Sequence, residues 1–449
     1  MTGSRGLRQA VSVAVATCLL ALGAAPAQAD EEPEPLPTTT TLTGPEAKAG
    51  QISLLDIAVA TEGEPLAEAP VLLERRVGGT WQDVTTLLTD AEGHASHEVT
   101  MLRVATDNVF RAGFAGDSAH QPSTSGPVRI GLLRHDTRIA LKGPDSVIDE
   151  RRVRLKVVWR TLDGTPVPGR VRLKRREDGR WKTVRRGRTG ERGITRFRVR
   201  PREDARFRVA GLRQAWVHRA ASPTHRIDNL PPGDPVALPA GAPEPRISVP
   251  PQPRPRRAGP NAVIRRIPDG VWRHMVGRSW HKGCPVGRSG LRLLRINYWD
   301  YDGYRRRGEV VARVGAAGQI AAALKEMYRR KLPIRSMYRV DRFGWSKKLN
   351  GANDYRSMAA GNTSAFNCRD VVGRPGVQSP HSYGRSFDVN PWENPYRTST
   401  TWLPNGWWVG RSHPRVAWRS HDHTVVRLMA SHGLHWTYGT RDAHHFDAR

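Results

Sequence analysis

The chain has 449 residues, 38% of them hydrophobic and 25% charged, which is too long for one ordinary domain and too apolar for a disordered protein. Its 72 Lys+Arg against 42 Asp+Glu give a formal net charge of +30. Such a surface favours polyanions (nucleic acid, anionic lipid or anionic wall polymers), and charge alone does not choose among them.

The first 29 residues read as a signal peptide. Arg5 and Arg8 precede an apolar run from Val11 to Ala25, and Ala27-Gln28-Ala29 follows as a small-x-small cleavage site. The apolar run is too short for a comfortable membrane span. No later stretch is suited to a bilayer, so no membrane span is expected after cleavage. The expected mature protein is secreted and extracellular, either released or held by the cell envelope. Cys18 raises the alternative of a lipid-modified cysteine, but the apolar run continues past it. Removing the leader leaves Cys284 and Cys368, and an even pair in an oxidising compartment reads as a disulfide.

An internal repeat comes next. VLLERRVGGTWQDV (71–84) matches VRLKRREDGRWKTV (171–184), with Arg75/Arg175, Arg76/Arg176, Gly79/Gly179 and Trp81/Trp181 coinciding. The segments 52–60, 71–77 and 152–159 alternate or are rich in β-branched residues, and Asp178-Gly179 marks a hairpin turn. Two tandem all-β immunoglobulin-like sandwiches are expected, at 36–132 and 133–227. Segment 174–203 is dense in arginine, which reads either as a solvated basic face or as a dock for an anionic polymer. Aromatic residues are not interleaved with these arginines as base stacking needs, so no specific nucleic acid is expected.

Residues 228–262 are saturated with proline and are expected to form an extended, semi-rigid linker. The last domain, 263–449, mixes elements. Residues 310–332 carry an alanine-rich amphipathic helix with Ile320, Leu324 and Met327 on one stripe. Residues 333–343 and 364–372 read as strands. Residues 424–436 read as a helix that ends near Gly433 and runs into a strand. The expected class is α+β with a small antiparallel sheet.

In this domain His381 and Asp388 stand seven apart in SPHSYGRSFD (379–388), and the chain ends RDAHHFDAR (441–449). Three ligands are the minimum for a catalytic zinc site, and a carboxylate must take the proton of the attacking water. Spacing alone leaves two readings open, polar loops or a metal site. SPHSYGRSFD resembles the S-x-H-x-x-G-x-A-x-D motif of the zinc D-alanyl-D-alanine carboxypeptidases, which share a fold with phage endolysins that cut the L-alanyl–D-glutamate bond of peptidoglycan. DAHHFD resembles the closing segment of the same family, and DVNPWENPY (388–396) and AFNCR (365–369) resemble further segments. The resemblance covers roughly residues 265–449. It implies zinc bound by His381, Asp388 and His445, with His444 the alternative third ligand. It further implies Asp442 as catalytic carboxylate, Arg369 as the arginine that stabilises the developing oxyanion, and Ser379 as a substrate contact. Ser386 stands where the family usually has alanine, and Asp447 where it has glutamate. The implied function is a secreted zinc metallopeptidase hydrolysing peptidoglycan stem peptides, foremost a D-alanyl-D-alanine carboxypeptidase. An L-alanyl-D-glutamate endopeptidase and a non-catalytic wall-binding protein are the alternatives. The basic sandwiches would hold it at anionic wall polymers.

Overall fold

A computed structural model describes residues 34–449. The leader expected at 1–29 lies outside the described residues. The chain divides into two compact units. One ends at Thr137 and takes in Thr161–Thr165 and Leu212–Ala220; the other comprises Arg138–Arg160, Pro166–Gly211 and Ala221–Arg449.

The first unit holds a β-sandwich. One antiparallel sheet is built on Thr38–Thr43, Ile52–Thr61 and His94–Thr100. The other is built on Pro70–Val77, Thr80–Leu88 and Val109–Phe114. Ile52–Thr61 alternates as its sequence requires, with Leu55, Ile57 and Val59 pointing into the core. They meet Val71, Leu73, Phe110 and Phe114 from the opposing sheet.

The second sandwich repeats this plan. Gly169–Glu177 pairs with Arg180–Thr189, and the register shifts between Leu173 and Lys174 just as it does between Leu73 and Glu74 in the first. Asp178 and Gly179 have φ of 49° and 74°. Both central residues of a type I′ hairpin turn need that left-handed geometry, which explains the Asp-Gly pair. The repeated tryptophans also keep one role, because Arg111 lies over Trp81 and Arg208 over Trp181 at 4.5 and 4.4 Å.

The proline-rich stretch does not hang free. It runs extended along the last domain, to which the body of the second sandwich is also joined, in part through Arg305 Nε donating to Glu150 Oε1 at 2.8 Å. Prolines have no N–H, so their carbonyls are the groups left to satisfy. Arg307 N–H reaches Pro253 O at 2.7 Å and Trp392 Nε1 reaches Pro243 O at 2.6 Å. Gln252 is the buried anchor, accepting from Met337 N at 2.6 Å and donating to Met337 O at 3.2 Å.

The last domain is α+β. Val263–Arg266, Leu291–Trp299 and Arg305–Arg313 form an antiparallel sheet. The helix Val314–Arg329 covers it, burying Ile320, Leu324 and Met327, and the helix Thr424–Ser431 packs beside it. The helix expected from residue 310 begins only at Val314, because Val310 and Val311 still pair in the strand Arg305–Arg313. The strand expected at 333–343 does not form. Side chains take its ladder bonds, Gln252 Oε1 on Met337 N and Asn362 Oδ1 on Tyr338 N, and the segment ends in a 3-10 turn at Val340–Phe343. Of the strand expected at 364–372, only a bridge at Ser364 and the short strand Asp370–Val371 exist. Cys284 and Cys368 are joined in a disulfide, with Cα atoms 5.9 Å apart. Among the described residues no helix is long and apolar enough to cross a membrane.

Candidate metal centre

A second small antiparallel sheet carries the candidate centre. Ser386–Asp388 pairs with His445–Ala448, which pairs with Leu434–His435. Asp388 and His445 are direct cross-strand partners, so the pleat turns both side chains to one face. His381 arrives from the 3-10 turn Pro380–Tyr383, whose first N–H groups are capped by Ser379 Oγ, accepting from His381 N at 3.3 Å. Gly384 closes this turn with φ of 69°, and a Cβ there would stand 2.9 Å from Arg313 N. Only glycine lets the chain pass from the His381 turn into the Asp388 strand so closely.

His381, Asp388 and His445 are all buried, and one nitrogen or oxygen from each lies within 4.8 Å of the others. His381 Nε2 is 3.1 Å from Asp388 Oδ2 and 3.1 Å from His445 Nδ1, and His445 Nδ1 is 3.1 Å from Asp388 Oδ1. The outward nitrogens fix the tautomers. His381 Nδ1 lies 2.6 Å from Ala365 O, which can only accept, so that nitrogen carries the hydrogen. His445 Nε2 lies 3.0 Å from Asp447 Oδ1, an oxygen that also accepts from Ser386 Oγ at 2.7 Å. In the neutral rings two nitrogen lone pairs and a carboxylate then converge with no hydrogen among them. Protonating both rings would instead press two cations together. The arrangement calls for a bound cation, and two imidazoles with a carboxylate, each ring steadied from behind by an acceptor, is a donor set that suits zinc. Burial works against an imidazolium at His445, yet the carboxylates of Asp388 and Asp447 hold its pKa well above the usual value. Burial works against the Asp388 carboxylate, yet His381 and His444 hold it well below.

Asp442 and His444 stand beside this set. His444 Nδ1 is anchored 2.6 Å from Asn394 O, and its Nε2 lies 3.2 Å from Asp442 Oδ1. That contact lacks hydrogen-bond geometry, so Asp442 Oδ1 remains a buried oxygen without a hydrogen-bond partner. Asp442 Oδ2 is 4.0 Å from His445 Nδ1. Burial above all raises the Asp442 pKa; His444 and His445 oppose the rise and Asp388 adds to it. A carboxylate shifted this way is a better proton acceptor than an ordinary one.

Arg369 lies in the same wall, in a cleft of about 330 Å³ that Ser379, His381, Asp388, Asp442 and His445 also line. Its Nη2 donates to Asp354 Oδ2 at 2.6 Å and its Nη1 to Asp370 O at 2.9 Å, while its buried Nε has no partner. The structure thus gathers every residue singled out for this centre from the sequence. His444 falls outside the three-atom set; its Nε2 lies nearest Asp442 Oδ1, at 3.2 Å, and 3.8 Å from Asp388 Oδ2. Sequence reasoning missed Asp354, which locks Arg369, and Asn394, which anchors His444. It also missed the clamp on Asp447, which accepts from Ser386 Oγ and from Thr437 Oγ1, both at 2.7 Å. One signal for that clamp was present: the two departures from the motif, Ser386 and Asp447, turn out to be partners. A second cluster, His281 with Cys284 and Cys368, has its sulfurs tied up in the disulfide.

Residues 372–448 match the family model described as D-alanyl-D-alanine carboxypeptidase. The matched segment holds Ser379, His381, Asp388, Asp442 and His445, and Arg369 lies just before it. That segment is therefore similar to a peptidase family. No curated protein matches the chain. Solved structures similar to it include a tetra-tandem repeat in the extending region of a large adhesion protein, with TM-score 0.29, 10% identity, and 62% of this chain aligned over 63% of that one. Another is invasin, a bacterial integrin-binding protein, with TM-score 0.30, 15% identity, and 60% of this chain aligned over 47% of that one. The chain thus spans less than two thirds of the length of either, and likenesses of this degree carry no functional weight.

Proposed function

We propose that this protein is a secreted zinc metallopeptidase of the cell wall that hydrolyses peptidoglycan stem peptides, acting as a D-alanyl-D-alanine carboxypeptidase. The observation that carries the reading is the convergence of one ligand atom each from His381, Asp388 and His445 within 4.8 Å of one another, beside an Asp442 oxygen that has no hydrogen-bond partner. The match of residues 372–448 to a peptidase family supports it. A zinc ion held there supplies Lewis-acid polarisation of the scissile carbonyl and a more acidic attacking water. Asp442 accepts the water's proton and later returns it to the leaving amine. His444, fixed by Asn394, keeps Asp442 in place. Arg369, immobilised by Asp354, offers its free Nε to charge that develops on the carbonyl oxygen. Ser379 shapes the cleft edge and the His381 turn. No nucleophilic side chain is required.

The exposed arginines 374, 397 and 441 also line this cleft. A peptide ending in a free carboxylate gains from that rim, which favours carboxypeptidase over endopeptidase cleavage. The test offers the zinc-loaded protein two defined muropeptides, one ending in D-Ala-D-Ala and one ending at the D-Glu-linked residue. Release of a single D-Ala from the first, with the second untouched, is expected. Cleavage between L-Ala and D-Glu would replace this reading with the endopeptidase, and no cleavage of either would leave a wall-binding protein.

A further inference from the structure

The last domain and its proline strap enclose a cavity of about 240 Å³ that shares no lining residue with the cleft. Five arginines line it (254, 256, 295, 307 and 342) against one carboxylate, Glu309. That carboxylate is fully engaged. It accepts from Arg295 Nε at 2.9 Å, Arg339 Nη1 at 2.5 Å and Arg342 Nη2 at 3.1 Å. Arg307 is only 9% exposed, yet its guanidinium meets neutral acceptors alone, Asn261 O at 2.6 Å and Asn297 Oδ1 at 3.0 Å. Among the described residues no carboxylate lies within ion-pair distance of Arg307 or Arg256, and Arg254 reaches only Glu203, at 4.0 Å. Burying a charge without a counter-ion is costly, and here the cost is compounded by like charges. Burial, with Arg256 and Arg295 nearby, lowers the Arg307 pKa to about 10. An anion in the cavity would relieve all of this.

The groove is longer than one anion. Two more cavities, of about 610 and 670 Å³, adjoin it through shared lining residues such as Arg342, and they add Arg265, Arg273 and Arg278. An elongated row of guanidinium forks suits a chain of regularly spaced phosphate groups. It does not suit single-stranded nucleic acid, whose bases need an open aromatic face. Tyr338, the aromatic residue of the first cavity, is buried, donates its hydroxyl to Pro250 O, and has Arg342 over its ring at 5.4 Å. Arginines of the second sandwich such as Arg172 and Arg186 are cross-strand neighbours standing in solvent, with no buried member among them.

We propose that this strap-walled groove, with Arg307 at its floor, binds a linear phosphodiester polymer of the cell wall and so docks the peptidase domain itself, independently of the sandwiches. The test measures binding of fluorescent poly(glycerol phosphate) to the full chain at fixed ionic strength. Arg254→Glu with Arg256→Glu should weaken binding by about tenfold or more, and Arg307→Gln should weaken it too. The double strap variant should not lower the melting temperature, since it removes like charges near Arg307, and should not change the release of D-Ala from a soluble muropeptide, so failure here is distinguishable from failure of the peptidase reading. The control pair Arg172→Glu with Arg186→Glu should change binding by less than about twofold, the scale of a screened surface charge. Equal weakening by that control, undiminished binding by the strap variant, absence of binding, or equal competition by a single-stranded oligonucleotide of the same charge would each overturn the proposal.

Discussion

His444 and His445 are neighbours in the chain with separate duties. The Nδ1 of His445 faces Asp388 and His381, whereas Nε2 of His444 faces Asp442. His445→Ala and His381→Ala should each weaken zinc binding at least about a hundredfold, measured by competition with a chromophoric chelator, because each removes a ligand. His444→Ala should leave zinc affinity within a few-fold and instead lower the turnover of a D-Ala-terminated peptide, because it frees Asp442. Asp447→Ala should fall between these, with affinity reduced about 10–100-fold, since it removes the acceptor behind a ligand. Equal zinc loss in the His444 and His445 variants would show that the third ligand is misassigned. The clustering of His381 with Asp388 was legible in the sequence because the motif is local: a turn, a glycine and a strand bring the two side chains together. Asp354 and Asn394 were not. They lie 15 and 50 residues from Arg369 and His444, the side chains they fix, and neither spacing has a periodic signature.

Among the elements, the helix Val314–Arg329 and the paired sandwich hairpins were readable because periodicity and turn chemistry are local properties. The segment 333–343 was not, since side chains of Gln252 and Asn362 replace a neighbouring strand, and a strand-like pattern cannot announce that substitution. Next to it stands Glu309, buried under three arginines. Burial raises its pKa, but Arg339, Arg295 and Arg342 overcome this and leave it lowered. Its contribution to stability is therefore present above the unfolded carboxyl value and lost as pH falls through the folded one. Glu309→Gln should cost about 1–3 kcal/mol at neutral pH because it removes the charged acceptor shared by three guanidinium groups, of which the buried Arg339 keeps its pair with Asp341. Denaturant melts should show that difference narrowing below about pH 4, the ordinary range of a glutamate. A difference independent of pH would show that the charge is not what matters. The disulfide links residues 84 apart and secures Cys368 beside Arg369. Cys284→Ser with Cys368→Ser should lower stability by about 2–5 kcal/mol in the same melts.

For the whole molecule, composition foretold an extended proline segment but not its docking, because a proline run specifies its own shape and says nothing of what it lies against. The buried Gln252 and the carbonyls of Pro243, Pro250 and Pro253 turn it from a free tether into part of the domain wall. Gln252→Ala removes its bonds to Met337 and Tyr298. The melting temperature should fall, and hydrogen exchange at Met337 and Arg307 should rise while the sandwich strands stay protected. The +30 charge likewise acquires places rather than a sum: solvated arginines on the second sandwich, and a cluster along the strap in which Arg307 alone is buried and meets only neutral acceptors. The proposed peptidase chemistry rests on one carboxylate, Asp442, beside the buried cluster of His381, Asp388 and His445. Its most direct test is the mass of a pentapeptide stem after incubation with the zinc-loaded wild type and with zinc-loaded Asp442→Asn. The wild type should remove one D-Ala, and the variant, still binding zinc, should be slower by about 10²–10⁴-fold. Full activity in the variant, or an unaltered pentapeptide with the wild type, would contradict it.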